Sequence, residues 1–144
     1  MKISSRFTIA VHTLLCILEF KDEKITSNFI SESVQVNPVI IRNILIQLQK
    51  ADIITVKRGT GGISLNKKTE NITLLDIFNA VESLDEGKLF SFHENPNKKC
   101  PVGSRINDIL QPKLDNVQEA MEKELKKTTL KEIYKNLKQS DDRL

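Results

Sequence analysis

Cysteine is scarce in this chain: Cys16 and Cys100 are the only two among 144 residues. Two thiols cannot build the multi-bridge framework of a small secreted scaffold. Nor can they supply a four-thiolate metal site within one chain. Long apolar runs are missing as well, because Lys21 ends the first one short of a membrane span. The opening Met1-Lys2-Ile3-Ser4-Ser5-Arg6 lacks the basic start, apolar middle and small-residue cleavage site of a secretory signal, which points to the cytoplasm. Glycine is limited to five residues, three of them bunched at Gly59, Gly61 and Gly62. These lie between candidate strands and open no helix, so they form no phosphate loop. No Ser/His/Asp order or paired-histidine metal motif stands out. Carboxylates gather on the polar faces of the late helices, and His12 and His93 read as structural. These absences exclude an enzyme, and no cofactor or metal is expected. Internal repeats and low-complexity segments are absent too.

What is present fits one domain, or a small domain with a helical appendage. The chain is 39% hydrophobic and 28% charged, enough to bury a core without staples. The net charge of +3 is uneven. Residues 1–68 hold ten Lys and Arg against five Asp and Glu, and residues 69–144 hold twelve against fourteen. A basic first half suits a polyanionic partner.

The spacing predicts a first helix from about Ser4 to Phe20. Phe7, Ala10, Val11, Leu14, Ile17 and Leu18 form one broad apolar face. Ile9, Cys16 and Phe20 lie on the other side, so this helix is covered from two directions, by the domain core and by dimer helices. A short second helix is predicted at Ser27 to Val34, opened by Thr26-Ser27. The third starts clearly: Asn37 caps and Pro38 suits the first helical position, where its missing N–H costs nothing. It runs to about Ala51 with Ile41, Ile44, Leu45 and Leu48 facing inward. The strand candidates Ile53–Val56 and Ile63–Leu65 flank the glycine cluster and read as a hairpin. Thr73-Leu74-Leu75-Asp76 is a capping box opening a helix to about Leu84. A loop follows over 85–103. A long amphipathic stretch then reaches Lys127, with a kink or a helix start near Pro112. Thr129-Leu130-Lys131-Glu132 opens a last helix, and the tail from Gln139 should fray.

The fold class is therefore mainly α: a winged helix-turn-helix with a two-stranded wing, plus C-terminal dimerisation helices. The expected division is 1–84 for the DNA-binding unit, 85–103 for a sensor-type loop and 104–144 for dimerisation. In such a unit the N-terminal end of the third helix enters the major groove. Asn pairs well with adenine and Arg with guanine. Val39 and Ile40 either meet thymine methyls or belong to a core or interface. Lys57 and Arg58 stand on a narrow glycine-rich tip suited to a minor groove or a phosphate.

The stretch from Asn28 to Leu65 resembles the Rrf2 family of bacterial transcription regulators, which includes the iron–sulfur cluster regulator and the cysteine-metabolism and nitrite-response repressors. The wing segment Lys57-Arg58-Gly59-Thr60-Gly61-Gly62-Ile63-Ser64-Leu65 carries the likeness most specifically. The opening Met1 to Phe7 and the leucine-rich third helix agree with it. The resemblance implies a homodimer on a two-fold-symmetric, double-stranded DNA operator, with recognition helices one DNA turn apart. It gives Arg58 a minor-groove role, and Arg42 and Asn43 the setting of sequence preference. Cluster-binding members carry three cysteines in the loop before the long helix. Here that loop, Phe92 to Pro101, holds only Cys100, and one thiolate cannot hold an iron–sulfur cluster.

The candidate DNA-facing set is then Ser5, Arg6, Thr26, Asn37, Val39, Ile40, Arg42, Asn43, Lys57, Arg58, Gly59, Thr60 and Gly61. The candidate dimer seam is Ile106, Leu110, Leu114, Val117, Met121 and Leu125. Cys100 follows Lys98-Lys99, whose charge lowers a thiol's pKa, and a nearby helix start acts the same way. It reads as a redox-sensing thiol, with Cys16 as a possible partner, or as a structural cysteine; Cys16 alone reads as packing. The favoured function is a DNA-binding regulator, a repressor, acting as a homodimer with no membrane partner. Two alternatives stay open. One is a regulator that senses a small ligand between the winged unit and the dimer helices. The other is a winged helix that binds only protein.

Overall fold

The computed structural model describes residues 4–57, 59, 62–82, 84 and 87–141. Helices α1 (Arg6–Glu19), α2 (Ser27–Val34) and α3 (Pro38–Lys50) precede a two-stranded antiparallel sheet of β1 (Ile54–Lys57) and β2 (Gly62–Leu65). A 3-10 turn at Thr69–Asn71, unforeseen in the sequence, leads to α4 (Leu74–Val81). The long α5 (Ile106–Lys127) and α6 (Leu130–Asp141) complete the order. This is the mainly α winged-helix architecture that the residue pattern implies. Among the described residues no helix is long and apolar enough to cross a membrane.

The core forms where the apolar stripes of α1, α3 and α4 converge. Ala10 and Leu14 of α1, Ile41, Ile44 and Leu48 of α3, and Ile77 and Val81 of α4 are all fully enclosed. Burying each of the Leu, Ile and Val side chains among these stabilises the fold by about 1.5–3 kcal/mol. The sheet is in register from Ile54 opposite Leu65 to Lys57 opposite Gly62. Ile53 and Ile54 anchor its base in the same core.

The two apolar sides of α1 are covered largely within the chain. Phe7 meets Phe78 of α4 edge to face at 5.8 Å, and Phe20 meets Phe29 of α2 at 5.0 Å. Cys16 is buried and belongs to the core, as packing alone requires. The C-terminal contact to α1 comes from α6, while α5 lies against α4. Leu130, at the start of α6, is fully enclosed in the main core. A short zipper fixes it there: Leu74 N–H donates to Thr128 C=O at 2.9 Å, and Leu130 N–H to Ile72 C=O at 2.8 Å.

Three boundaries differ from the expected ones. Helix α4 stops at Val81, three residues early. The Val81 carbonyl accepts from the side chains of Arg6 and Gln47, and Glu82 is extended. Helix α5 begins at Ile106 and continues through Pro112. Helix α6 persists to Asp141 in place of a frayed tail from Gln139. Lys138 pairs with Glu19 and holds its last turns against α1.

Candidate nucleic-acid interface

The helix-turn-helix is built by local capping. Thr26 Oγ1 accepts from Phe29 N–H at 3.1 Å and starts α2. Gln35 ends it in the left-handed region at φ 64°, with its N–H bonded to Ser31 C=O. Asn37 Oδ1 then accepts from Val39 N–H at 2.9 Å, with Pro38 in the first turn of α3. The connection is therefore short and closed at both ends.

This geometry fixes which side of α3 faces out. Ile41, Ile44, Leu45 and Leu48 point into the core. Arg42 and Asn43 are exposed, and so are Val39 at 50% and Ile40 at 37%. Val39 and Ile40 thus leave two apolar side chains in water at the start of α3. Ile46 is also 50% exposed, one turn further along the same strip. Sequence reading overlooked Ile46, although its spacing of three from Asn43 and seven from Val39 gives the signal.

The wing stands beside this strip. Gly59 and Gly62 have φ of +81° and +70°, values that L side chains rarely adopt. Lys57, at the end of β1, is exposed. Arg58, Thr60 and Gly61 lie outside the described residues. Between α3, the wing and the segment entering α2 runs a groove of about 340 Å³ bordered by Lys24, Arg42 and Lys57. All five ion pairs found among the described residues involve a residue from Lys88 onward. Lys24, Arg42 and Lys57, which border this groove, take part in none of these pairs.

The remaining candidates fall in other places. Thr26 and Asn37 are exposed, but each spends its side-chain oxygen on a helix start. Ser5 is exposed just ahead of α1. Arg6 turns inward: Nη2 donates to Gln47 Oε1 and Nε to Val81 C=O. That places its guanidinium in a brace between α1, α3 and the end of α4.

Cys100 sits half-buried in the turns that lead into α5. Its thiol is held below the ordinary cysteine range by the backbone N–H groups of Gly103 and Val102, against a small opposing effect of burial. The direction matches the sequence reading; of the two causes it offered, Lys98-Lys99 and a nearby helix start, the first does not contribute and the amides lie in the turns ahead of α5. The turn is tight, since a Cβ on Gly103 would lie 2.4 Å from Asn97 O. On α5 no residue is buried. Leu114, Met121, Leu125 and Ile106 are half-buried, whereas Leu110 and Val117 are exposed. Ile109, absent from the candidate seam, is 58% exposed. A second groove, of about 520 Å³, lies between α1, α2 and α6.

Comparison with known proteins bears on the same features. The family model Rrf2, described as iron-dependent transcriptional regulator, matches residues 3–136. A Bacillus subtilis protein named as an HTH-type transcriptional regulator, YwnA, is 44% identical over 94% of this chain and 98% of its own length. A crystal structure of a protein described as DNA-binding superposes with a TM-score of 0.74 at 39% identity, covering 90% of this chain and 98% of that one. IscR of T. potens shares the fold, with a TM-score of 0.70 at 18% identity over 97% of this chain and 90% of its own. The family's iron does not fit the donors present here. The loop before α5 offers one thiol, and among the described residues no three His, Cys, Asp or Glu side chains converge on a metal-sized site.

Proposed function

This chain belongs to the Rrf2 family of transcriptional regulators, and from that premise we propose that it binds a two-fold-symmetric operator as a homodimer and represses transcription. One observation carries the reading: the outward strip of Val39, Arg42 and Asn43 stands beside the charges of Lys24 and Lys57. Side chains that read base edges lie next to side chains that hold phosphates. The exposed edge of α5, with Ile109, Leu110 and Val117, supports pairing of two copies. The division of labour follows, with DNA contact in 1–84 and pairing in 104–144.

Cys100 is the proposed switch. Its thiolate, stabilised by two backbone amides, attacks a peroxide oxygen. The O–O bond of hydrogen peroxide breaks, a sulfenic acid forms, and hydroxide leaves and takes a proton from solvent to become water. The added oxygen disturbs the turn at the root of α5.

Fluorescence anisotropy on DNA from upstream of its own gene and on a scrambled fragment, across a salt series, tests the reading. Tight, steeply salt-dependent binding to the first alone is expected. Absence of binding to either at low salt overturns DNA recognition in favour of a protein-binding scaffold.

A further inference from the structure

The groove between α3 and the wing has features that contact with DNA does not require. Its walls are apolar: Ile25 and Leu45 form a buried floor, and Ile46, Val56 and Ile63 line the sides. Ile46 and Val56 stay 50% and 37% exposed, a standing cost that a phosphate backbone would not relieve. The rim carries Lys24, Arg42 and Lys57, and among the described residues no carboxylate lines the groove. Its volume of about 340 Å³ suits a small molecule, and a mostly apolar lining with a few directed polar groups is the usual make-up of such a site. The other groove differs in charge. Among the described residues its lining holds Glu19, already paired with Lys138, and no lysine or arginine.

We propose that this groove is an effector site for a small amphipathic anion, an aromatic or branched aliphatic carboxylate or sulfonate. The apolar body lies against Ile46 and Val56, and the anionic head meets Arg42 and Lys57. Arg42 cannot serve a ligand head and a base edge at once, so ligand and DNA exclude one another. This exclusion rests on the DNA-binding reading; occupancy of the groove does not.

The probe is 8-anilinonaphthalene-1-sulfonate, whose fluorescence rises in apolar surroundings, titrated into the full chain without DNA. Ile46→Glu places a carboxylate in the groove, and Lys57→Gln removes a cation from its rim. Both positions are exposed, so circular dichroism should show the fold intact. Each should weaken the probe by about tenfold or more, the loss expected for a charge-assisted contact. Leu137→Glu, which loads the other groove, should leave probe affinity unchanged. Unaltered binding in Ile46→Glu, or loss in Leu137→Glu alone, overturns the site. Duplex DNA that the protein binds by anisotropy should displace the probe, and simultaneous binding of both overturns exclusion. A protein that binds the probe in the groove but no DNA at all refutes the DNA reading and leaves the site standing.

Discussion

Arg6, the first residue of α1, donates through Nη2 to the Gln47 side chain on α3, and both side chains also donate to the Val81 carbonyl at the end of α4. Three helices thus meet on one guanidinium. Arg6→Ala should lower stability by roughly 1–3 kcal/mol in chemical denaturation, because it removes charge-assisted bonds and takes a donor from the carbonyl of buried Val81. It should leave the salt dependence of DNA binding unchanged. Lys57→Ala should do the reverse, keeping stability and reducing the slope of log affinity against log salt by about one. A reduced slope in Arg6→Ala at full stability would make Arg6 a phosphate contact and remove the brace.

Ile109, Leu110 and Val117 share one edge of α5 and stay 58%, 37% and 51% exposed. The opposite flank is occupied: Gln118 accepts from Leu89 N–H at 2.9 Å and donates to Gly87 C=O at 2.8 Å, and Asp115 pairs with Lys88. A charge on the open edge would therefore cost the monomer little and a pairing surface much. Val117→Glu should run as a monomer by light scattering, retain its helical spectrum and lose operator binding. A dimer that survives both Val117→Glu and Ile109→Glu places the interface elsewhere.

The recognition unit was legible because its signals are local. Asn37-Pro38 caps α3, the stripe from Ile41 to Leu48 gives its inner face, and the glycine cluster marks the wing. Each depends on neighbours within a few residues. What the sequence hid depends on residues far apart along the chain. Arg6 meets Gln47 and Val81 only because α1, α3 and α4 pack together, and the same contact ends α4 early. The final turns of α6 owe their order to Glu19, more than a hundred positions away. The depressed thiol of Cys100 was readable in direction. Its cause lay in a turn conformation that no nearby charge reveals.

That turn makes a separable prediction for Cys100. Alkylation by iodoacetamide follows the thiolate, so Cys100 should react with a midpoint pH below that of an ordinary cysteine, while buried Cys16 reacts slowly. Gly103→Ala would drive a Cβ into Asn97 O and force the amides of Val102 and Gly103 off the sulfur. Its midpoint should move up toward the ordinary thiol value, and its reaction with peroxide at neutral pH should slow. An unchanged midpoint in Gly103→Ala would mean that the amides do not hold the thiolate. For the switch itself, Cys100→Ser should abolish the response of DNA binding to peroxide while leaving reduced binding intact. An equal response in that variant sinks the role of this thiol.

The contact of α6 with α1 should depend on pH in both directions. Glu19 accepts from Lys138 Nζ at 2.7 Å and from Tyr134 Oη at 3.0 Å. The Lys138 ammonium first, and the Tyr134 hydroxyl second, hold the Glu19 carboxyl below its ordinary pKa. Its contribution is therefore present above the unfolded carboxyl value and disappears as pH falls through the lowered one. Lys138 is shifted up, chiefly by its bond to Glu19, so its contribution holds below the ordinary ammonium value and fades as pH rises through the raised one. Leu130 stays buried throughout, so the start of α6 remains docked while its later turns loosen. Amide exchange, corrected for the intrinsic rate at each pH, should show protection over residues 135–141 falling on the acid side of the carboxyl range, with protection at Leu130 unaffected. Glu19→Gln should show the low protection at neutral pH and no further acid loss. Protection in the native chain that stays level through the acid range would show that the pair does not anchor the helix, leaving Leu130, the backbone bonds at Ile72 and Leu74 and the Lys131–Glu70 pair to hold α6.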